Sequence, residues 1–274
     1  MTIGVDLGAT NIKAGIVEGG VIYRKISETF PHDKSLEETL AFLVGIVRRL
    51  MNTNIKGIGI GVPSVVDAKR GIVYNAVNVP SWREVHLKDI LEKEFGIPVN
   101  INNDCNCFAF AERYYGEGTP YRNIVGVKLG TGVGAGIVIN DVLYDGWNTG
   151  AGEIGSLPYY DSDYEDYCAA NFFKRYHTTG YITYLRAEKG DPEALDIWSE
   201  YGYHVGNLMK TILFTYDPEA IIVGGDVIKA YPYFSARMEE CLSTFPYPET
   251  LKRIKIMVSQ KEDIGLLGAA SLIP

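Results

Sequence analysis

The strongest constraint on the fold is a glycine-tipped hairpin pattern that occurs twice in the chain. Residues 3–17 read IGVDLGATNIKAGIV, an apolar run, a tight turn and a returning apolar run. Residues 124–139 read IVGVKLGTGVGAGIVI, so that the segment 4–8 aligns with the segment 126–130. Apolar runs joined by a short glycine turn are typical of a β-hairpin. Two similar hairpins far apart in one chain indicate an internal duplication and predict two related lobes.

The remaining segments alternate between helical and strand patterns. A capping signal at Ser35 and Glu38 marks the start of the first predicted helix. We predict helices over residues 35–52, 87–95, 105–115, 192–216 and near 264–272, further helices around 169–187, and strands over 55–62, 98–102 and 220–223. This alternation predicts an α/β fold. The boundary between the lobes is expected within residues 111–122, where GEGTPYR interrupts the periodicity.

Composition excludes several classes of protein. The chain has 26 basic and 34 acidic residues, a net charge of −8 that argues against a nucleic-acid or anionic-membrane partner. No run approaches the roughly 18 to 20 apolar residues that span a bilayer, and the first residues lack a signal-peptide pattern. Four cysteines are too few for a disulfide framework, and the pair Cys105 and Cys107 has no second pair to complete a zinc site. These features predict a cytoplasmic protein.

Both hairpin tips carry groups suited to phosphate binding. Phosphoryl transfer needs donors around the phosphates, a carboxylate for magnesium and a base at the acceptor hydroxyl. Backbone amides at Gly8, Ala9 and Thr10 could face anionic oxygens, and Asp6 could hold magnesium through water. A second such tip comprises Gly130, Thr131 and Gly132. One glycine tip alone is most often a plain turn, whereas two matched tips with threonine favour phosphate binding. Neither tip has the P-loop or the Rossmann glycine order.

Three further segments carry candidate polar or glycine groups. Asp104 follows a predicted strand, where a carboxylate could accept a hydroxyl proton, or could simply cap the next helix. Glu153 lies among small residues and could grip vicinal sugar hydroxyls, or be an ordinary turn acid. Gly224 and Gly225 end an apolar strand, where bare backbone would let a flat ring such as adenine approach, although a plain strand-to-helix turn explains them equally well.

Taken in order, these segments resemble the ROK family of sugar kinases and sugar-responsive repressors, within the actin–hexokinase ATPase superfamily. The resemblance covers nearly the whole chain and rests on motifs that occur in the family's order. The motif DLGATNIKAG comes first and is followed by GVPSVVD, INNDCN, LGTGVGAG, GAGEIG, DPEAIIVGG and GLLGAA. It implies two actin-like (ribonuclease H-like) lobes, residues 1–115 and 116–261, with ATP and sugar meeting in the interlobe cleft. The helix near residues 262–274 is expected to pack back on the first lobe.

The resemblance also implies roles for individual residues. Asp104 would be the catalytic base, with Asn103, Asn78 and Glu153 as sugar ligands. Asp6, Gly8, Ala9 and Thr10 would serve phosphate and magnesium, Gly130, Thr131 and Gly132 would form the second phosphate loop, and Gly224 and Gly225 would approach the nucleoside of ATP.

The sequence departs from the family at its zinc site. Ser156 stands where many members have the histidine of G-E-I-G-H, and LPYYDSDYEDYCAANFF replaces the cysteine-rich loop. We therefore predict no zinc. Glu165, in a Glu-x-Tyr that resembles the end of that loop, would keep the family's second sugar-binding acid. The tyrosines at positions 159, 160, 164 and 167 could stack on a sugar, but packing within the loop or at a dimer seam is the favoured interpretation.

These observations predict an ATP- and Mg²⁺-dependent hexose kinase acting on the 6-hydroxyl of a glucose-like sugar. The family resemblance further implies a homodimer formed through the C-terminal lobe. An N-acetylhexosamine kinase would share the same catalytic parts. A sugar-sensing repressor is disfavoured, because Asp6 follows Met1 by only five residues and leaves no room for a preceding helix-turn-helix domain. A non-catalytic sugar-binding protein is disfavoured by the presence of Asp104, Asp6 and both glycine tips.

Overall fold

The fold is described from a computed structural model that covers residues 1–8 and 10–274. Ala9, one of the predicted phosphate-binding residues, lies outside the described residues. The chain divides into two compact units. The first unit comprises Met1–Pro120, Gly136–Gly152 and Gln260–Pro274, and the second comprises Tyr121–Ala135 and Glu153–Ser259.

A five-stranded sheet forms the centre of the first unit. Its strands are β1 (Thr2–Leu7), β2 (Asn11–Glu18), β3 (Val21–Thr29), β4 (Ile58–Val62) and β8 (Val99–Asn103), in the order β3-β2-β1-β4-β8. The first three strands are antiparallel, whereas β4 pairs in parallel with both β1 and β8. The carboxyl ends of β1, β4 and β8 therefore lie at the same edge of the sheet. A smaller antiparallel sheet contains β5 (Val65–Asp67), β6 (Ile72–Tyr74) and β7 (Glu84–Val85).

Four helices belong to the first unit: α1 (Leu36–Leu50), α2 (Leu87–Phe95), α3 (Asp104–Tyr115) and α10 (Ile264–Ala270). The predicted capping box of α1 is confirmed, because Ser35 and Glu38 exchange the expected hydrogen bonds. Its buried face joins the aliphatic core under β1, β4 and β8. Burial of this apolar face is the main stabilising contribution of such a helix.

Helix α10 lies directly on the backbone of the central strands. A Cβ atom added to Gly59 would lie 1.8 Å from the carbonyl oxygen of Ala269, and one added to Gly4 would lie 2.4 Å from that of Leu266. Such distances are shorter than any non-bonded contact between these atoms. The glycines of β1 and β4 are therefore required for the helix to approach this closely.

The second sheet repeats the order of the first. Its strands are β9 (Ile124–Leu129), β10 (Val133–Ile139), β11 (Val142–Leu143), β14 (Ala220–Gly224) and β15 (Lys255–Val258), in the order β11-β10-β9-β14-β15. Strand β14 pairs in parallel with both β9 and β15. Both sheets thus begin with consecutive strands and end with two parallel ones, as an internal duplication predicts. Strand β10 is where the chain passes from the second unit into the first.

Helices and one small hairpin complete the second unit. The hairpin is formed by β12 (Pro158–Tyr159) and β13 (Ser162–Asp163). The helices are α4 (Tyr164–Cys168), α5 (Asn171–Lys174), α6 (Gly180–Ala187), α7 (Pro192–Tyr216), α8 (Tyr231–Ser243) and α9 (Pro248–Arg253), with 3₁₀ turns at Ile154–Ser156 and Asp226–Ala230. The predicted helical region 169–187 is divided, because His177 has a φ of +52° and Thr179 caps a new helix.

Candidate functional site

Asn103, rather than Asp104, caps helix α3. The Asn103 side-chain oxygen accepts hydrogen bonds from the backbone nitrogens of Cys105 at 2.7 Å and Asn106 at 3.2 Å. Its side-chain nitrogen donates to the carbonyl oxygen of Ser64 at 3.0 Å. Asp104 is the first residue of the helix, at the carboxyl end of parallel strand β8. The alternative interpretation of Asp104 as the N-cap is therefore wrong, because Asn103 is the N-cap of α3.

A buried amide network supports this strand end. The Asn102 side chain is only 5% exposed, and its oxygen accepts from the backbone nitrogen of Asn103 at 2.8 Å and from the Asn106 amide at 2.9 Å. Its amide nitrogen donates to a carboxylate oxygen of Asp145 at 3.0 Å. Both acceptor directions of the Asn102 oxygen and one of its two amide N–H groups are thus engaged. Because Asn102 precedes Asn103 and Asp104, the network fixes the backbone from which both project.

Asp145 was not among the residues predicted from the sequence. It lies 43 residues from Asn102, in the segment that follows β11. Its residue type alone does not distinguish it from other acidic residues on the surface. Two residues later Trp147 is 86% exposed, with the Lys69 ammonium 5.0 Å from its ring centre. The only signal that could have identified Asp145 is its position shortly before the predicted sugar-binding segment at residues 151–155.

The turn that carries Asn78 is held by a buried tryptophan. Residues 76–82 form a loop in which Ala76 donates a backbone hydrogen bond to Trp82 at 2.9 Å and Trp82 donates one to Val79 at 2.8 Å. The indole nitrogen of Trp82 donates to the Thr39 hydroxyl at 2.8 Å, and the ring is fully buried. Asn78 is half-buried on this loop, between β6 and β7 of the first unit.

The first hairpin tip is closed by backbone hydrogen bonds. Gly8 donates to the carbonyl oxygen of Asn11 at 2.9 Å, and the carbonyl oxygen of Thr10 accepts from Phe30 at 2.9 Å. Asp6 pairs with Gly61 of β4 across the parallel ladder. Its carboxylate lies against Gly265, where an added Cβ would be 2.6 Å from one carboxylate oxygen. Asp6, Gly8 and Thr10 thus belong to the same unit as Asn78, Asn103 and Asp104.

The second hairpin tip is supported by a carboxylate. Gly130 donates to the carbonyl oxygen of Gly132 at 3.1 Å, which closes the turn around Thr131. A carboxylate oxygen of Glu165 accepts from the backbone nitrogen of Val133 at 3.1 Å, and an added Cβ on Gly132 would lie 2.6 Å from that oxygen. The structure therefore brings Glu165 to the tip. The sequence suggested only a sugar contact for Glu165 and missed this support of the turn.

The segment Gly224–Gly225, at the end of β14, lies beside the second hairpin tip. Gly225 has a φ of +94°, and an added Cβ would lie 2.2 Å from the carbonyl oxygen of Leu129. An added Cβ on Gly130 would be 3.8 Å from the backbone nitrogen of Asp226. Only glycine tolerates both the positive φ and the close approach at position 225. Gly224 and Gly225 thus turn the chain next to Gly130.

A cavity of about 370 Å³ opens beside the second hairpin tip. Its wall combines backbone at Gly130 and Thr131, aromatic rings and the turn that follows Gly225. The aromatic and turn residues are Phe173, Tyr181, Tyr184, Trp198, Asp226 and Val227. Apolar and aromatic walls with a few polar groups are typical of small-molecule sites. The sequence predicted the glycines, but not the rings contributed by α5, α6 and α7.

Glu153 occupies the start of the 3₁₀ turn Ile154–Ser156 and is exposed. Gly155 packs on β10, where an added Cβ would be 2.3 Å from the carbonyl oxygen of Val133. Glu153 therefore projects from backbone that is fixed on the strand leaving the second tip. Glu153, Glu165 and both glycine segments all lie in the second unit.

Tyrosines fill the segment that replaces the family's zinc loop. The Tyr159 and Tyr164 rings stack with centroids 4.3 Å apart, and Tyr167 meets Tyr159 edge-on at 5.2 Å. Tyr164 and Tyr167 are buried, and burial raises the pKa of the Tyr164 hydroxyl. Aromatic packing is therefore what these side chains do, as the favoured interpretation predicts, whereas Tyr160 is 66% exposed. Residues 1–8 and 10–274 contain no group of three or more His, Cys, Asp or Glu side chains placed to hold a metal ion.

Comparisons with known proteins agree on one family. The family model described as "ROK family" matches residues 2–172 and 175–274. The chain is 27% identical to a glucokinase of Thermotoga maritima, over 99% of this chain and 96% of the relative. It is also 27% identical to a β-glucoside kinase of Listeria innocua, over 96% and 94% of the two chains.

A solved structure shares the fold. The ROK family glucokinase from Streptomyces griseus, in complex with glucose and AMPPNP, superposes with a TM-score of 0.84 at 27% identity, covering 99% of this chain and 98% of that one. The mixed α/β architecture is therefore the actin-like ATPase fold that the sequence predicts. No helix among the described residues is both long and apolar enough to cross a membrane. The chain belongs to the ROK family.

Proposed function

We propose that this chain is an ATP-dependent hexose kinase that phosphorylates the 6-hydroxyl of a glucose-like sugar, with Asp104 as the general base. The observation that carries the proposal is the division of labour at the start of α3. Asn103 caps the helix, and Asp104 stands beside it as the first helical residue, at the carboxyl end of a parallel strand. Ligands of open α/β sheets bind at that edge.

In the proposed step, the Asp104 carboxylate accepts the proton of the sugar hydroxyl as its oxygen attacks the γ-phosphorus of ATP. The bond from the γ-phosphorus to the bridging oxygen breaks, and ADP leaves with the negative charge. General-base assistance of this kind contributes about 10²- to 10⁴-fold in rate. The buried Asn102 network would keep the base in position, because it fixes the preceding backbone.

Sugar binding is assigned to side chains of both units. In the first unit, the Asn103 amide keeps one N–H after donating to Ser64, and Asn78 presents an amide from a rigid turn. In the second unit, Glu153 and Glu165 offer carboxylates from fixed backbone. Carboxylates and amides together can accept from and donate to sugar hydroxyls. We assign all four as sugar ligands.

Phosphate binding is assigned to the two hairpin tips. The residues assigned are Gly8, Ala9 and Thr10 for the first, and Gly130, Thr131 and Gly132 for the second. The cavity beside the second tip would take the nucleoside, with Gly224 and Gly225 allowing close approach. Its aromatic wall suits the adenine ring.

Magnesium is assigned to Asp6. A single half-buried carboxylate fits an ion that keeps most of its water shell and takes its other ligands from phosphate. When bound, magnesium would neutralise the charge that develops on the phosphate oxygens. The residues of the chain would do the positioning.

The decisive experiment compares Asp104→Asn with an exposed control, Asp33→Asn, in a coupled ATP-consumption assay. We expect Asp104→Asn to lower kcat at least about 100-fold with unchanged folding by circular dichroism, while Asp33→Asn keeps the original rate. A rate for Asp104→Asn within twofold of the unaltered chain would show that the base is elsewhere.

A second candidate is an N-acetylhexosamine kinase. Ser156 and the tyrosine-filled segment after it replace the family's histidine and zinc loop, and this region would face the sugar's 2-position. The same assay over glucose, mannose, fructose, N-acetylglucosamine and N-acetylmannosamine separates the two. The substrate with the highest kcat/KM identifies the class, and ATP consumption that no sugar stimulates would contradict both.

A further inference from the structure

A second cavity in the second unit is not used by the proposed kinase site. It measures about 620 Å³ and lies beside helix α7, where none of the residues assigned to ATP or to the acceptor sugar lines it. Its wall contains tyrosines, two arginines, two acids and one histidine. Which of these groups already have hydrogen-bond partners in the protein, and which do not, indicates the kind of ligand that the cavity could bind.

The histidine presents a ring nitrogen that no described residue engages. His204 is buried, with a side chain 7% exposed, and burial lowers its pKa. The Asn207 amide nitrogen donates to the Tyr159 hydroxyl oxygen at 3.0 Å, and that hydroxyl lies 3.1 Å from Nδ1 of His204. Nδ1 is therefore engaged by Tyr159, whichever of the two ring nitrogens carries the proton.

Nε2 of His204 has no hydrogen-bond partner among residues 1–8 and 10–274. The nearest carboxylate, that of Glu200, lies 3.7 Å away, beyond hydrogen-bonding distance. Buried polar atoms in native proteins are almost always hydrogen-bonded. A ring nitrogen left over in the wall of a cavity therefore indicates that a bound group completes it, and a hydroxyl could do so as donor or as acceptor.

An arginine on the wall is likewise unengaged. The Arg175 guanidinium lies 3.6 Å from the centre of the Tyr167 ring, and its side chain makes no hydrogen bond or ion pair with any described residue. Stacking on an aromatic face holds a guanidinium in place and leaves its N–H edge available. Arg175 is thus oriented by the protein but not satisfied by it.

Acceptors balance these donors. Glu200 accepts from the Tyr176 hydroxyl at 2.6 Å and faces His204, and Asp196 lies one turn earlier on α7. Arg237 supplies the second positive charge and is itself paired with Glu240 at 2.6 Å. The wall thus carries charges of both signs, so that an ion of either sign would meet a like charge. A sugar hydroxyl both donates and accepts, and therefore suits such a wall without a net charge.

Tyrosine rings supply the remaining surface. Tyr160 is 66% exposed, and its hydroxyl lies 3.3 Å from that of Tyr203. Exposed ring faces next to polar groups suit the C–H faces of a pyranose. We propose that this cavity binds a small neutral saccharide of one or two rings, separately from the acceptor sugar of the kinase reaction.

The test is saturation-transfer NMR on the full chain without ATP, with glucose, maltose and glucose 6-phosphate as probes. Asn103→Ala is used as background, because it weakens the proposed acceptor site. In this background, transfer to glucose or maltose should persist. Adding Arg175→Ala should weaken it at least about tenfold, whereas adding Arg253→Ala, which alters an exposed arginine on α9, should not.

Loss of all transfer in the Asn103→Ala background, or equal affinity with and without Arg175→Ala, would overturn the inference. Tighter binding of glucose 6-phosphate than of glucose would overturn the neutral character of the ligand. Arg175→Gln, with folding checked by circular dichroism, replaces Arg175→Ala if that variant is unstable. The outcome is separable from that of the proposed function: Arg175→Ala should keep sugar phosphorylation, and a chain that phosphorylates nothing but retains cavity binding would refute only the kinase.

Discussion

The hydrogen bond between Asn102 and Asp145 can be tested by a substitution that exchanges one side-chain atom. Asn102→Asp replaces the amide nitrogen that donates to Asp145 with a carboxylate oxygen, about 3 Å from a carboxylate. The variant loses one charge-assisted hydrogen bond, worth about 1.5 to 3 kcal/mol, and gains repulsion. Two charges 4 Å apart cost about 1 kcal/mol in water and about 4 kcal/mol at an effective dielectric of 20. Because Asp145 is exposed and its charge is screened, we expect a total loss of about 2 to 4 kcal/mol at pH 7.

The sign of the pH dependence follows from the introduced carboxyl. Repulsion and burial disfavour its charged form in the folded state, so that its pKa should exceed the unfolded value of about 4. The destabilisation should therefore be complete above the folded-state pKa and shrink as the pH falls toward 4. Urea unfolding of Asn102→Asp and of the unaltered chain at pH 4.5 and pH 7.5 gives the difference at each pH.

The reciprocal variant is the matched control. Asn102→Asp combined with Asp145→Asn restores one donor facing one carboxylate, with the positions exchanged. The double variant should regain at least about half of the lost stability, as a double-mutant cycle. Equal destabilisation of Asn102→Asp at both pH values, or strict additivity of the two substitutions, would refute the hydrogen bond as the source of the effect.

Two further predictions concern the first unit. Gly59→Ala should lower the free energy of unfolding by about 3 kcal/mol or more in urea, because its Cβ would overlap the carbonyl of Ala269. The control Gly45→Ala, in the open interior of α1, should raise it by about 0.5 to 1 kcal/mol. Equal effects of the two substitutions would contradict the close packing of α10. Burial alone would raise the pKa of Asp263, but hydrogen bonds from Lys25 and Lys13 lower it. Asp263→Asn should therefore lower the free energy of unfolding near pH 7, and progressively less as the pH falls below about 4. A pH-independent difference in unfolding free energy would show that the ion pairs contribute nothing.

Much of the fold was predictable because it depends on local sequence. The two glycine-tipped hairpins, the capping box at Ser35 and the strand that leads into α3 all rest on residues close together in the chain. The division of the helical region around 169–187 was not predictable, because a positive φ at His177 has no strong sequence signal. Histidine is enriched among non-glycine residues with positive φ, but such residues are only about a few per cent of the total, so the residue type does not predict the conformation.

The places of the candidate residues along the chain could be predicted, but the contacts that support them could not. Asp104 and Asn103 could be chosen from their place after a strand, but which one caps the helix is decided by side-chain rotation. The Asp145 contact joins segments 43 residues apart, and the Glu165 contact with Val133 joins segments 32 apart. Contacts of this kind arise only when the sheets have assembled.

Helix α10 has a consequence for how the first unit is made. Its residues come after the entire second unit in the order of synthesis, yet they cover β1 and β4, which leave the ribosome first. Until residues 264–270 emerge, the glycine-lined backbone of these strands lacks its cover, while the second unit already has nearly all of its own chain. The second unit can therefore complete its fold without α10 whereas the first cannot, and a released chain truncated after residue 259 should show a protease-resistant second unit beside an incompletely protected first sheet.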